Sequence, residues 1–413
     1  MAYDHSYSKD NLSKYFLNSE IAKFPAAQRN QQRETISNKA YQDVQRHLRN
    51  VNLLRKVTIN NKSAYTINLL EHNLIVRKLH QNLRKSFYYS APNRHTIIKN
   101  LLSLLREATP YNVYRLDIQS FFESVDKNTL FEHLDNNYFL CAYSKKILKE
   151  LFKQFESLGG SGIPRGLSIS NILSDIYMQS FDQAISKNNV VFYYRRYVDD
   201  IIIITSGKED KDSFLTHLSS ELPKGLIFNS DDKFQFISIS KNINNNSLPL
   251  NYRFDYLGYS FSIEKNHSKD KNRAIKIDIA NNKIKKIKTK IIRAFIAFSK
   301  DQNFEILIER LLFLSTNFSI YDRNKGRKKL SGIYYNYPEL SENNESLLEL
   351  DQYLRTLILS KATFKHLNIS SKLSKNQKRK LLSLSFFKSH TNRSFNYFSG
   401  QRIKVLKECW KNV

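Results

Sequence analysis

The sequence predicts an α+β protein, and three observations carry that expectation. A central stretch holds runs of β-branched and aromatic residues, at 113–118 and 192–204. Segments on either side space their apolar residues by three and four, as helices do. At 413 residues, 41% apolar and 13% aromatic, the chain can bury a sizeable core and divide it among two or three subdomains. The charge narrows the class further. Lys and Arg number 66 against 38 Asp and Glu, a net +28 that implies a polyanionic partner, and nucleic acid is the usual one. Cys141 and Cys409 supply neither a disulfide framework nor a four-ligand zinc site, as expected in a reducing cytoplasm. No apolar run approaches the roughly 18 residues of a membrane span. The opening residues (MAYDHSYSKDNLSKYF) lack the basic-then-apolar order of a secretion signal, so a cytoplasmic protein is expected.

Taken in order, the first 50 residues read as helical. Pro25 can open a helix, and Ile36, Ala40, Val44 and Leu48 follow in steps of four. Residues 112–122 (NVYRLDIQSFF) begin as a strand that ends near Asp117, and a helix is expected from Glu123 to about Leu134. Residues 162–171 (GIPRGLSISN) are a Gly/Pro turn ahead of a helix whose apolar face carries Ile169, Ile172, Leu173, Ile176, Tyr177 and Phe181. Residues 192–205 (FYYRRYVDDIIIIT) read as a tight hairpin with Asp199 and Asp200 at its tip. Residues 242–247 (NINNNS) are expected as an Asn-rich loop and 264–272 (EKNHSKDKN) as a polar connector. There is no internal repeat.

The basic excess is concentrated late in the chain. Residues 265–300 carry twelve Lys and Arg against two Asp, and 361–413 carry thirteen against Glu408 alone. Within the first of these, Ile284, Ile287, Ile291 and Ile292 recur at helical spacing among lysines, predicting a helix with one dry and one basic face. Such a face is either a nucleic-acid contact or a solvated surface. The final segment interleaves Phe386, Phe387, Phe395, Tyr397, Phe398 and Trp410 with its charge, which suits base stacking or a small helical core.

Three segments carry the chemistry. A lone Asp117 at a strand end is common in structural roles, and adjacent acids in a turn are usually solvated. The wholly apolar return strand, Ile201 to Ile204, argues otherwise, because it buries the hairpin and sets both acids beside a hydrophobic core. Like charges in that position need a compensating cation, and hard divalent metals take oxygen ligands. Asp117, Asp199 and Asp200 together make the carboxylate set of a two-metal phosphoryl-transfer site. Between them, the glycines at 162 and 166 permit close backbone approach to a ligand, and the following helix start favours anions.

The order of these residues resembles the palm of a reverse transcriptase. Asp117 with Phe121 and Phe122 is similar to the first palm motif, residues 164–170 (PRGLSIS) to the second, and 197–200 (YVDD) to the third. Residues 228–233 (FNSDDK) resemble the lysine-bearing fourth motif, and 254–259 (FDYLGY) the Leu-Gly hairpin that grips the primer. The resemblance spans roughly 70–330. It implies a right-hand polymerase: an N-terminal helical region and fingers over 1–110, a palm over 111–263, a helical thumb over 264–335, and a basic helical extension over 336–413. It also implies RNA-directed DNA synthesis from dNTPs with two Mg²⁺, Mn²⁺ being a substitute.

Residue by residue, the resemblance implies catalysis by Asp117, Asp199 and Asp200, with Asp117, Ile118, Asp199 and Asp200 at the metals. Phe122 falls where the family places its gate against a ribose 2′-hydroxyl, with Arg165, Gly166 and Lys233 around the triphosphate. Core packing is the competing role for Phe122, and a solvated charge for Lys233. Tyr197, Leu257, Gly258 and the lysines 283, 285, 286 and 288 (Lys283, Lys285, Lys286, Lys288) are expected at the primer or other nucleic acid. Arg77, Lys78, Arg84 and Arg94 are fingers candidates for the triphosphate. The chain departs from many relatives at Arg165, where they carry Gln, and at Asn171, where they carry Pro.

The phrasing at 120–124 (SFFES), 164–171 (PRGLSISN) and 332–337 (GIYYNY) resembles the bacterial defence-associated and abortive-infection group. Members of that group protect cells from phage by making DNA, some on a noncoding RNA and some without a template. The expected partners are an RNA from the same locus and the DNA product, with a homo-oligomer or second subunit allowed and no membrane. Three alternatives stand beside this reading: an untemplated or protein-primed DNA synthase, an RNA-dependent RNA polymerase, and a catalytically silent RNA-binding scaffold.

Overall fold

The computed structural model describes residues 3–49, 51–59, 62–87, 93–136, 140–230, 233–239, 251–267, 272–322, 327–359 and 371–411. The Asn-rich stretch at 242–247 and residues 268–271 of the expected connector lie outside these. The chain forms two compact units, one of residues 1–97 with 109–241 and one of 98–108 with 242–413.

The first unit opens with helices α1 (Lys9–Ser13), α2 (Asn18–Ile21) and α3 (Arg29–Gln45). Pro25 heads a 3₁₀ turn, Ala26–Gln28, that leads into α3. Ala40 and Val44 are buried as the spacing predicts, whereas Leu48 is buried from beyond the helix, at a positive φ of 58°. A hairpin of β1 (Leu54–Ile59) and β2 (Lys62–Ile67) follows, then α4 (Leu70–Ser86) and α5 (Arg94–Leu105), whose residues from 98 onward count with the second unit. Next come β3 (Tyr111–Asp117), α6 (Phe121–Ser124), α7 (Lys127–Asp135), α8 (Ala142–Ser157), α9 (Ser170–Tyr177) and α10 (Gln179–Ser186). The unit closes with β4 (Val191–Tyr197), β5 (Asp200–Thr205), α11 (Lys211–Glu221) and β6 (Gln235–Ile239). The single helix expected from Glu123 to Leu134 is two. Val125 is extended, and Asp126 restarts the helix by accepting the Thr129 amide on its carboxylate at 2.9 Å.

An antiparallel sheet in the order β4-β5-β3-β6 forms the centre of this unit. Ile201 to Ile204 are all buried, as two-sided coverage of a central strand requires. Register then fixes the chemistry: β3 and β5 pair Leu116 with Ile201 and Asp117 with Asp200. The last residue of one strand therefore faces the first residue of the other, both carrying carboxylates.

The second unit holds β7 (Asn251–Tyr256), β8 (Tyr259–His267) and β9 (Arg273–Ile279) in one antiparallel sheet, followed by α12 (Asn281–Asp301) and α13 (Phe304–Ser315). Then come β10 (Asn317–Asp322), β11 (Arg327–Gly332), α14 (Ile333–Asn336), α15 (Glu345–Leu359), α16 (Lys375–Leu382), α17 (Phe386–Thr391), β12 (Phe395–Asn396) and α18 (Gly400–Lys407). Two expectations are corrected here. Residues 264–267 of the expected polar connector are the end of β8, and the helical segment at 264–335 carries β9, β10 and β11 besides its two long helices. The signal for β9 was a period of two, Ile275, Ile277 and Ile279, obscured by the interspersed charge, and Ile277 and Ile279 are buried against β8. The amphipathic helix is present as α12, with Ile284 and Ile291 buried. The tail aromatics divide: Phe386, Phe398 and Trp410 join the core of this unit, while Phe395 and Tyr397 face solvent.

Candidate active site

The carboxylates are set by the turn between β4 and β5. Val198 and Asp199 are its two central residues, and Val198 takes a positive φ of 63°, costly for a β-branched side chain. The surroundings hold that strain in place. Arg196, buried, donates from one guanidinium nitrogen to the Val198 carbonyl at 2.9 Å. Its other nitrogens reach Asp182 at 2.7 and 2.9 Å and Asp175 at 2.8 Å. The paired acids keep Arg196 charged, raising its pKa against the effect of burial. On the other side of the turn, the Ile118 amide donates to the Asp199 carbonyl at 3.2 Å. Both carbonyls of the turn are thus pinned, one from α9 and α10 through Arg196 and one from β3.

Asp117 is buried, with 4% of its surface exposed. Its carboxylate accepts from the Asn229 side chain and from Lys233 Nζ at 2.6 Å, and its carbonyl accepts the Asn229 amide at 2.8 Å. Beyond β3 an isolated bridge pairs Ile118 with Phe228 and carries the 227–229 segment alongside. Arg115 approaches Asp200 at 3.6 Å. Burial raises the pKa of Asp199, and the charge of Asp117 adds to it. Asp200 is pushed up to about 6, first by burial and then by the charge of Asp199. Arg115, Lys233 and Arg165 screen the three acids only in part, so negative charge is concentrated at one end of a hydrophobic sheet.

Residues 38–261, more than half of the chain, match the family of reverse transcriptases (RNA-dependent DNA polymerases). The chain belongs to the reverse transcriptase family. No curated protein matches it. Among solved structures it is similar to telomerase from Candida albicans in complex with the TWJ fragment of telomeric RNA. That match has 11% identity and a TM-score of 0.33, covering 81% of this chain and 56% of that one. The corresponding complex from Candida tropicalis gives 14% identity and a TM-score of 0.32, covering 82% of this chain and 56% of that one. The chain therefore spans little more than half the length of either.

In this family member the residues near the carboxylates are already engaged. Phe121 is core, whereas Phe122 is half-buried and lies under the Arg165 guanidinium, 5.3 Å from ring centre to charge. Arg165 also forks onto Glu123 with contacts of 2.9–3.1 Å. Gly166, at φ 101°, brings its backbone against Tyr65 of β2, where an added Cβ would sit 2.9 Å from the carbonyl oxygen. That close approach serves the fold: the Tyr65 amide donates to the Arg165 carbonyl at 2.8 Å. Gly162 is similarly required by the Phe122 carbonyl, which accepts the Ile163 amide.

Tyr197 pairs with Asp200 at the hairpin end and is half-exposed. Arg77 is committed to Glu20, and Lys78 is buried, donating to the Asp4 carbonyl and to Tyr3. Arg84 is exposed and Arg94 half-exposed on α4 and α5. The remaining nucleic-acid candidates lie in the second unit. Leu257 and Gly258 form the two-residue turn between β7 and β8, both at positive φ (46° and 83°), as a type I′ hairpin requires. On α12, Lys285 and Lys286 are exposed, Lys283 is half-exposed, and Lys288 is held by Glu349 and over the Tyr353 ring.

A divalent ion can be tested against the donor set. Among the described residues no three His, Cys, Asp or Glu side chains enclose an ion site. The donors themselves fit a hard cation that retains waters and substrate phosphates: three carboxylates, two of them destabilised as anions by burial. Ile118, whose side chain is buried, can contribute only its backbone carbonyl. Sequence reasoning missed Arg196 with Asp175 and Asp182, and it missed Asn229. The pairing partners stand 21 and 14 residues from Arg196, on helices whose packing no local pattern reports.

Proposed function

We propose that the chain is an RNA-directed DNA polymerase that joins dNTPs at Asp117, Asp199 and Asp200. One observation supports this most: β-sheet register sets Asp117 opposite Asp200 in a chain that belongs to the reverse transcriptase family. Two Mg²⁺ ions, or Mn²⁺ in their place, would be held by Asp117, Asp199, Asp200 and the Ile118 carbonyl. When bound they supply a lowered pKa for the primer hydroxyl and neutralise phosphoryl charge. The chain's own groups do the rest. Arg196 and the Ile118 amide hold the aspartate turn rigid, and Asn229 orients the Asp117 carboxylate. Lys233 balances the charge of Asp117 and would be available to a departing pyrophosphate. Phe122, half-buried beneath Arg165, would act as the gate against a ribose 2′-hydroxyl, with Arg165 and Gly166 serving the triphosphate.

In this reading, residues 1–110 serve as fingers, 111–263 as palm, 264–335 as thumb and 336–413 as a basic extension. Tyr197, Leu257, Gly258 and Lys283, Lys285 and Lys286 are assigned to the primer and template, Lys288 being held by Glu349. We read the chain further as a cytoplasmic bacterial enzyme that copies a noncoding RNA of its own locus in defence against phage; the motif phrasing at 120–124, 164–171 and 332–337 supports the defence reading. The test is to purify the chain from that locus, supply Mg²⁺ and labelled dNTPs, and sequence both the bound RNA and the product. DNA complementary to one co-purified RNA is expected, together with protection from phage that Asp199→Ala abolishes. Product unrelated to any bound RNA would transfer the assignment to untemplated synthesis, and protection that survives the substitution would remove the defence role of polymerisation.

A further inference from the structure

The second unit contains a cleft of about 810 Å³ between the β10–β11 strands and the start of α18. Its walls present two tyrosines to solvent: Tyr321 is 59% exposed and Tyr397 is 80% exposed. Neighbouring rings behave oppositely. Phe313 stacks on Phe318 and Trp410 and meets Phe398 edge-on inside the core. Packing has thus taken the aromatics it needs and left these two outside it, on one concave surface. Lys328 stands directly opposite Tyr321 in the β10–β11 register, so both project from the same face. Lys404 projects from α18 on the other wall, and among the described residues no Asp or Glu lines the cleft.

We propose that this cleft binds a single-stranded polynucleotide, with bases stacked on Tyr321 and Tyr397 and phosphates at Lys328 and Lys404. The chemistry selects that ligand. Exposed rings interleaved with lysines offer a π face to every base and a cation to every phosphate, and a duplex keeps its bases stacked among themselves and out of reach. The segment that supplies one wall is itself strongly basic, residues 361–413 carrying thirteen Lys and Arg against one acid. RNA and DNA share the recognised chemistry, and the test separates them. The inference is independent of polymerisation, because none of these four residues belongs to the carboxylate site.

The experiment uses the full chain carrying Asp199→Ala, so that no synthesis intervenes, with fluorescent 15-mers of oligo(U) and oligo(dT). Tyr321→Ala and Tyr397→Ala are each expected to weaken binding by on the order of tenfold, from the usual cost of losing one base–aromatic stack. Tyr→Phe at either position should restore it, and a blunt RNA duplex should show no such losses. Lys328→Gln with Lys404→Gln should lower the slope of log K against log salt by about 1.4, at roughly 0.7 per phosphate contact on a single strand. Equal losses for both oligomers indicate a general single-strand site, and a loss confined to oligo(U) indicates an RNA site. Photocross-linking with 4-thiouridine-substituted oligomer should label the peptide that contains Tyr397. Unchanged affinity in the Tyr→Ala variants, with cross-links confined to other peptides, overturns the proposal. So does binding by Tyr321→Leu and Tyr397→Leu as full as by the Phe variants, which would assign the rings to packing.

Discussion

Asp200→Asn should stabilise the metal-free protein. The carboxyl titrates at about 6 in the folded chain against an ordinary 3.8, chiefly because burial opposes its charge. At roughly 1.4 kcal/mol per unit, the ionised side chain opposes folding at pH 7 by about 3 kcal/mol at most. Its side chain keeps 30% of its surface in solvent and Arg115 stands 3.6 Å away, so about 1–3 kcal/mol is the working range. The sign follows from linkage. A raised folded pKa means the proton is bound more tightly in the folded state, so this group's contribution is full below 3.8 and is lost as pH rises through about 6. The assay is urea unfolding in EDTA at pH 5 and pH 7.5. The stability difference between wild type and Asp200→Asn should open on the alkaline side and close on the acidic side. Added Mg²⁺ should then stabilise the wild type more than the variant, because a ligand that binds only the folded state adds to its stability. A variant less stable than wild type at pH 7.5 in EDTA would refute the burial argument.

Arg196→Ala should cost about 3–5 kcal/mol, as expected when one partner of a buried ion pair is removed, and the loss should appear in thermal unfolding. Arg196→Lys should recover only part, since an ammonium cannot reproduce the fork onto Asp175, Asp182 and the Val198 carbonyl. Among the α12 lysines, Lys285→Gln and Lys286→Gln should each reduce the salt slope of nucleic-acid binding by about 0.7–0.9. Lys288→Gln should leave that slope nearly unchanged, its ammonium being held by Glu349. His390 is held below the usual imidazole range by burial, with its Nε2 at 2.9 Å from the Tyr337 carbonyl. Its contribution to stability should be present above pH 6.5 and lost as pH falls below it, a dependence His390→Gln should flatten in pH-resolved unfolding.

The three aspartates were legible because each rests on a local pattern. Asp117 ends a β-rich run, and Asp199 and Asp200 interrupt two of them, with a four-isoleucine return strand that only a buried position explains. The α12 helix was legible for the same reason, its isoleucines repeating at helical spacing among lysines. What escaped notice depends on distant partners. Arg196 is one of two adjacent arginines that look equivalent in sequence, and strand alternation alone turns it toward Asp182 and Asp175. Lys78 reads in sequence as a candidate for the triphosphate, yet it is buried and donates to the Asp4 carbonyl of the N-terminal segment, 74 residues away. Gly166 reads as room for a ligand, yet the approaching backbone is Tyr65 of a hairpin about a hundred residues earlier. Strand β9 was missed because the high local charge of 264–280 masked a short period of two.

The most direct test of the account is primer extension on a defined RNA template with dNTPs and Mg²⁺, comparing wild type with the Asp199→Ala/Asp200→Ala double variant. The account predicts extension by the wild type and none by the variant, with nucleic-acid binding and the folded circular dichroism spectrum kept in both. Extension by the variant at the wild-type rate would contradict it, and would move the chemistry away from the hairpin that Arg196 and β3 hold in place.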